Sequence, residues 1–270
     1  MRKGRELIDP ERLRAIDAAL DGIAAEVRIL LAIESGSRAW GFPSPDSDYD
    51  VRLVYARPLP WYISVEQRRD VIEQPMRDDL DIGGWDIRKA LALLCKGNPV
   101  LIEWLASPTV YRGDAGAMER LRGFAAQVDH RRAARHHYFY AMRRAYGDCI
   151  AGRDQVRLKK YFYALRPAAA LAWMQQNRDG LLPMELPALL AGIDLSPSLR
   201  SLIDDLRLRK AETREMGEGG RIPELDAFIE GWLAKGPPPA ADAAIATPEL
   251  VAEADRLLFD LLSSADRNPS

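Results

Sequence analysis

The stretch ESGSRAWGFPSPDSDYDVRLVY, residues 34–55, decides how the chain is read. Asp48 and Asp50 stand one residue apart where an alternating apolar run begins, and the pair Gly36-Ser37 lies ten residues upstream. Residues i and i+2 of a strand project from the same face, so the two carboxylates point together and repel unless a cation joins them. Oxygen-ligated Mg²⁺ (or Mn²⁺) is held by a few carboxylates together with substrate phosphates, which makes Asp-x-Asp intelligible as a metal site awaiting a nucleotide. The glycine lets backbone approach a phosphate, successive N–H groups at the turn form an anion cradle, and Ser37 adds a hydroxyl donor. Taken as plain structure, the same residues would be a surface turn whose aspartates bond their own backbone.

Working outward, VRILLAIES (27–35) is short and apolar and predicts a buried strand, and YDVRLVYA (49–56) predicts a second one by alternation. FPSPDSD between them is a turn-rich loop. Helical spacing covers 11–25. A β-excursion with its clearest strand at 79–85 precedes Asp86, a good N-cap for the helix IRKALALLCKG, which Gly97 ends. NPVLIEWLAS begins another helix. From about residue 115 no strand pattern stands out. Segments 118–146, 154–177, 197–216, 222–234 and 248–264 carry helical spacing, GEGG (217–220) reads as a flexible turn, and 235–248 reads as a linker. The expectation is an α+β protein, with a small mixed-sheet domain over 1–112 and a helical domain over 113–270.

The chain has 270 residues, of which 47% are hydrophobic and 29% charged, a profile that excludes intrinsic disorder. No apolar run approaches the roughly 20 residues that span a bilayer. The N-terminus lacks a signal-peptide pattern, so no membrane partner and a cytoplasmic location are expected. Cys95 and Cys149 are too few and too far apart for a disulfide framework or a cysteine zinc site. Net charge is −2, but residues 130–166 hold ten Lys/Arg against two acids. That segment is +8 and the remainder −10, a distribution suited to phosphate-bearing ligands or to a solvated helix face. The adjacent His136 and His137 diverge by about 100° on a helix and cannot clamp one metal. Trp40, Trp85 and Trp104 are expected to pack the first domain.

GSRAWGFPSPDSDYDV resembles the Gly-Ser…Asp-x-Asp signature of the DNA polymerase β-like nucleotidyltransferase superfamily. With DIGGWDIRKAL (81–91), NPVLIEWLASPTVY (98–111), VRLKKYFYALRP (156–167) and EMGEGGRIPELDAFI (215–229), the chain is similar to the RlaP-type branch, associated with RNA repair. The resemblance implies a polymerase β-like palm and metal-dependent transfer of a nucleotide from an NTP to an acceptor hydroxyl. It also implies a third carboxylate on a neighbouring strand. Asp81 lies inside that strand, with Asp79 and Asp86 as alternatives. Asp48, Asp50 and Asp81 would then be catalytic and metal-ligating. Gly36, Ser37 and Arg38 would hold phosphate, joined by Lys159 and Arg166, which share a helix face with Tyr163 in RLKKYFYALRP. The acceptor could be an RNA end, a protein hydroxyl or a small molecule. The competing class is a nucleotide- or RNA-binding module without catalysis.

Overall fold

The computed structural model describes residues 4–5, 8–214, 216–239 and 246–263. Helix α1 (Pro10–Ala24) leads to β1 (Arg28–Glu34), the single turn α2 (Gly36–Ala39) and β2 (Tyr49–Ala56). The short α3 (Leu59–Tyr62), β3 (Val71–Glu73) and β4 (Leu80–Asp86) follow. Next come α4 (Ile87–Cys95), α5 (Pro99–Leu105), β5 (Val110–Gly113) and α6 (Ala115–Ala125). The remaining elements are α7 (Arg131–Cys149), β6 (Gln155–Arg157), a 3₁₀ turn (Leu158–Lys160), α8 (Tyr161–Gln176), α9 (Leu186–Ala191), α10 (Pro197–Glu212), β7 (Glu218–Gly220), α11 (Pro223–Ala234) and α12 (Pro248–Ser263).

The chain forms two compact units. The first takes residues 1–36, 48–130 and 243–270, and the second takes 37–47 and 131–242. Unit one is built on a five-stranded sheet in the order β3-β4-β2-β1-β5. Only β2 and β4 run parallel, and the other pairs are antiparallel. Alternation along β2 divides two cores. Tyr49, Val51, Leu53 and Tyr55 face Ile16, Leu20 and Ile23 of α1, while Val54 and Ala56 face a cluster fed by α4, α5, α6 and α12. Asp86 caps α4 as expected, accepting the Arg88 N–H at 2.8 Å, and Gly97 follows that helix at φ +64°.

Unit two packs α7 on α8, with α9, α10 and α11, around one apolar core that includes Phe42 from the 37–47 segment. Here several expectations give way. Residues 118–146 divide into α6 and α7. Residues 154–177 are not one helix, because Gln155–Arg157 pairs antiparallel with Glu218–Gly220. GEGG is thus a strand rather than a flexible turn. Val156 is buried by this pairing, and its partner strand lies some sixty residues away, so no local periodicity announces either strand. The division at 112/113 also differs from the compact units, because β5, α6 and α12 all complete the first. The segment 240–245 of the expected linker lies outside the described residues. Among the described residues no helix is long and apolar enough to cross a membrane.

Candidate active site

The parallel register of β2 and β4 sets Asp50 directly opposite Asp81. Both belong to the face that runs on toward Val54 and Trp85, and they occupy its polar beginning, ahead of the helices. Arg52, two residues beyond Asp50 and therefore on the same face, joins them. Its Nη2 lies 3.2 Å from Asp50 Oδ1 and 2.6 Å from Asp81 Oδ2, and its Nη1 donates to the Asp81 carbonyl at 3.0 Å. Gly83 lies across the ladder from Arg52. Two like charges are tolerated side by side because a guanidinium lies between them.

The glycine turn meets the same carboxylate. Gly36 has φ +60°, and a methyl group on its Cα would overlap the Asp50 carboxyl, leaving only 2.7 Å to Cγ and 3.2 Å to Cβ. Position 36 therefore excludes side chains twice, by conformation and by space. Ser35 N–H donates to the Asp50 carbonyl at 2.8 Å, and Asp50 N–H donates to Glu34 Oε1 at 3.0 Å. Glu34 is buried, and its Oε2 accepts from the Tyr111 hydroxyl. A buried carboxylate thus fixes the backbone of the exposed one. The sequence reading did not single out Glu34, Tyr111 or Arg52. The i, i+2 spacing of Asp50 and Arg52 was the one available sign.

The other candidate acids separate cleanly. Asp79 pairs with Arg12 at 3.0 Å, and its carbonyl accepts the Tyr49 N–H. Asp86 is fully buried at the far end of β4, capping α4 and accepting from the Tyr62 hydroxyl at 2.7 Å. That burial pushes its carboxyl pKa up. Asp81 is the acid that faces Asp50. Asp48 is exposed one residue before β2, and among the described residues no three His, Cys, Asp or Glu side chains are gathered closely enough to hold a metal. The expected trio is therefore a pair here, with Arg52 in the cation's place. Asp50 and Asp81 offer hard carboxylate oxygens that already share one cation, a donor set that fits Mg²⁺ or Mn²⁺.

Ser37 and Arg38 follow Gly36 and belong to unit two. Ser37 Oγ donates to Ser47 Oγ at 3.0 Å, Ser44 N–H donates to the same oxygen at 2.9 Å, and Arg38 Nη2 donates to the Ser47 carbonyl at 2.7 Å. The loop is tied down from α10. Lys210, buried, donates to the Phe42 carbonyl at 2.6 Å and lies 3.5 Å from Ser44 Oγ. Burial is the main cause that brings its pKa down to about 8, with Lys159 and Arg38 pushing the same way and Asp46 opposing. Lys159 is half-buried in the 3₁₀ turn, not on the helix expected for it. Arg166 is buried within unit two. Its Nε donates to the Met184 carbonyl at 3.0 Å, and its guanidinium lies 4.8 Å from the Trp40 ring centroid and 5.8 Å from that of Tyr138. It braces packing there, in contrast to the phosphate role expected of it. Trp40 likewise packs in unit two, against Phe42 and Tyr163, while Trp85 and Trp104 stack at 4.1 Å in unit one.

A Bacillus subtilis (strain 168) protein called uncharacterized protein YcgL is 40% identical over 234 residues, covering 87% of this chain and 89% of its own. The crystal structure of a nucleotidyltransferase-like protein from Exiguobacterium sibiricum aligns over 94% of this chain and 80% of its own, at 12% identity and a TM-score of 0.30. The sequence profile of the RNA repair pathway DNA polymerase beta family, RlaP, matches residues 13–260. On that match over nearly the whole length, the chain belongs to the RlaP family, the RNA repair pathway DNA polymerase beta family.

Proposed function

We propose that the protein transfers a nucleoside monophosphate from an NTP to an acceptor hydroxyl, with an RNA end as the acceptor class, in keeping with the family's name. One observation carries the reading: Asp50 and Asp81 face each other across the parallel ladder around a cation, against a glycine that cannot bear a side chain. Asp50 and Asp81, with Asp48, would hold the metal in the place that the Arg52 guanidinium occupies. Bound Mg²⁺ or Mn²⁺ supplies charge neutralisation at the triphosphate and a lowered pKa for the acceptor hydroxyl. Gly36 brings backbone close to the phosphates, and Ser37 and Arg38 donate to them. The acceptor oxygen bonds to the α-phosphorus as the bond to the pyrophosphate oxygen breaks, and the acceptor's proton passes to the Asp81 carboxylate. The protein forms no covalent bond, because positioning and charge carry the rate. The exposed arginines of α7, at 132, 135, 143 and 144, support an RNA partner through backbone phosphates.

The test is label transfer from α-³²P NTPs with Mg²⁺ or Mn²⁺ to RNA bearing a 3′ hydroxyl, with protein and small-molecule acceptors alongside. Asp50→Asn and Asp81→Asn are each expected to lower transfer by about a hundred- to a thousandfold, the scale on which removal of a single charge-stabilising group acts. Transfer that survives the double substitution overturns the mechanism. Because Arg52 already neutralises the carboxylates, a binding module without catalysis is the second reading. It prevails if NTP binds in the presence of metal and no acceptor is ever labelled.

A further inference from the structure

A second site lies at the opposite end of the same two strands. Asp86 stands five residues beyond Asp81 on β4, roughly 16 Å at the rise of a strand. From there α4 and the segment that begins with α3 enclose an open cavity of about 600 Å³ within unit one. Trp61, Tyr62, Arg68, Arg88, Lys89 and Lys96 line it. Two kinds of group meet here. Trp61 and Tyr62 lie edge to face at 4.9 Å, and the guanidiniums of Arg57 and Arg88 sit 5.6 and 5.5 Å from the Trp61 ring centroid. Tyr62 is held by its hydrogen bond to buried Asp86, so this ladder of flat groups rests on a fixed support. The charges around it are largely unbalanced. Lys89 pairs with Asp70 at 3.0 Å, but Arg68, Arg88 and Lys96 make no ion pair among the described residues, and Glu66 is the other acid of the lining.

A simple anion has no use for an indole flanked by guanidiniums, and an apolar ligand has none for a lining in which Arg68, Arg88, Lys89 and Lys96 outnumber Glu66 and Asp70. A ring that carries a phosphate uses both, since bases stack on aromatic rings and on guanidinium planes while phosphates pair with Lys and Arg. The cavity falls in the size range of small-ligand pockets. Arg88 and Lys96 are eight residues apart along α4, about 12 Å, which reaches past the phosphate of a single nucleotide. The geometry points to this cleft as a docking site for single-stranded nucleic acid, with a base stacked on the exposed Arg88 face of the ladder and backbone phosphates on Arg68 and Lys96. The assignment does not rest on the transferase reading, because the cleft lies apart from Asp50 and Asp81.

Binding of a fluorescein-labelled ten-nucleotide RNA, followed by anisotropy in EDTA without NTP, tests it. The exposed pair Arg68→Glu/Lys96→Glu is expected to weaken binding at least tenfold and to flatten its salt dependence. Trp61→Ala is expected to weaken it about tenfold, while Asp50→Asn leaves it unchanged. Four results overturn the proposal: no binding by the native protein, equal binding by the charge-reversed pair, displacement by ATP as effective as by unlabelled RNA, or displacement by heparin with Trp61→Ala without effect. An acidic peptide that binds in place of RNA overturns it as well. Label transfer to a small acceptor by the charge-reversed pair separates loss of this site from failure of the active site.

Discussion

Arg52 gives the candidate active site its testable chemistry. It is the cation that lets Asp50 and Asp81 share one face, and it competes with any metal that would do the same. In Arg52→Gln the two carboxylates lose that partner and repel. Unfolding in urea with EDTA is expected to show a loss of about 1.5–3 kcal/mol, the range for hydrogen bonds to charged groups. Mg²⁺ or Mn²⁺ is then expected to stabilise the variant by about 2.7 kcal/mol at a hundredfold excess over its Kd, and the native protein by less at the same concentration. Equal metal responses in the two proteins would remove Arg52 from the cation's place. At this scale the sequence was informative about what repeats locally. Alternation placed Asp50 on a face, and a second strand with an acid at 81 could be read nearby. The direct pairing of 50 with 81 depends on strand register, which no single segment encodes. Glu34 was hidden for a similar reason, since its meaning comes from Tyr111, seventy-seven residues away.

Three strands of unit one, β1, β2 and β4, were legible because apolar runs and turn residues mark them, and β2 spans the residues expected for it, whereas the short β5 was not expected. The segment 154–177 was misread because helix formers extend through it, whereas Val156 and Leu158 are buried by a strand from far along the chain. Arg166 consequently faces Met184 and aromatic rings. Lys210 on α10 is the element-scale contact with the clearest signature in solution. In the unfolded chain a lysine titrates near pH 10.4 and in the folded protein near 8, so between those values the unfolded state binds more protons. Stability therefore rises with pH across that window, and the cost of burying the charge is fully present below about pH 8. The unfolding free energy of the native protein, measured against Lys210→Met, is expected to increase by about 1–3 kcal/mol between pH 7.5 and 10. Tyr55 and Tyr161, pushed up to about 12 chiefly by burial, act in the opposite sense above pH 10 but alike in both proteins. A difference that stays flat with pH would mean that the amine is already neutral or remains hydrated.

At the scale of the whole molecule, each unit is assembled from segments distant in sequence. Composition suggested a cut near residue 112, since strands fill the first part of the chain and helices the rest. The compact units do not respect it. Leu121 and Phe124 of α6 and Leu257 and Leu261 of α12 are buried in the cluster on one face of the sheet. A fragment of residues 1–112 lacks all four and exposes the apolar side of α4. It is expected to aggregate or to show no cooperative unfolding by circular dichroism. A cooperatively melting, monomeric fragment would contradict the assignment of α6 and α12 to that core.

The position of α12 sets a timetable for birth on the ribosome. Translation delivers the five strands first, yet a helix that helps seal their hydrophobic side, α12 from Pro248, emerges only after well over a hundred residues beyond the last of them, which ends at Gly113. Until then the nascent sheet waits with part of its greasy surface uncovered, the condition under which holdase chaperones engage a growing polypeptide.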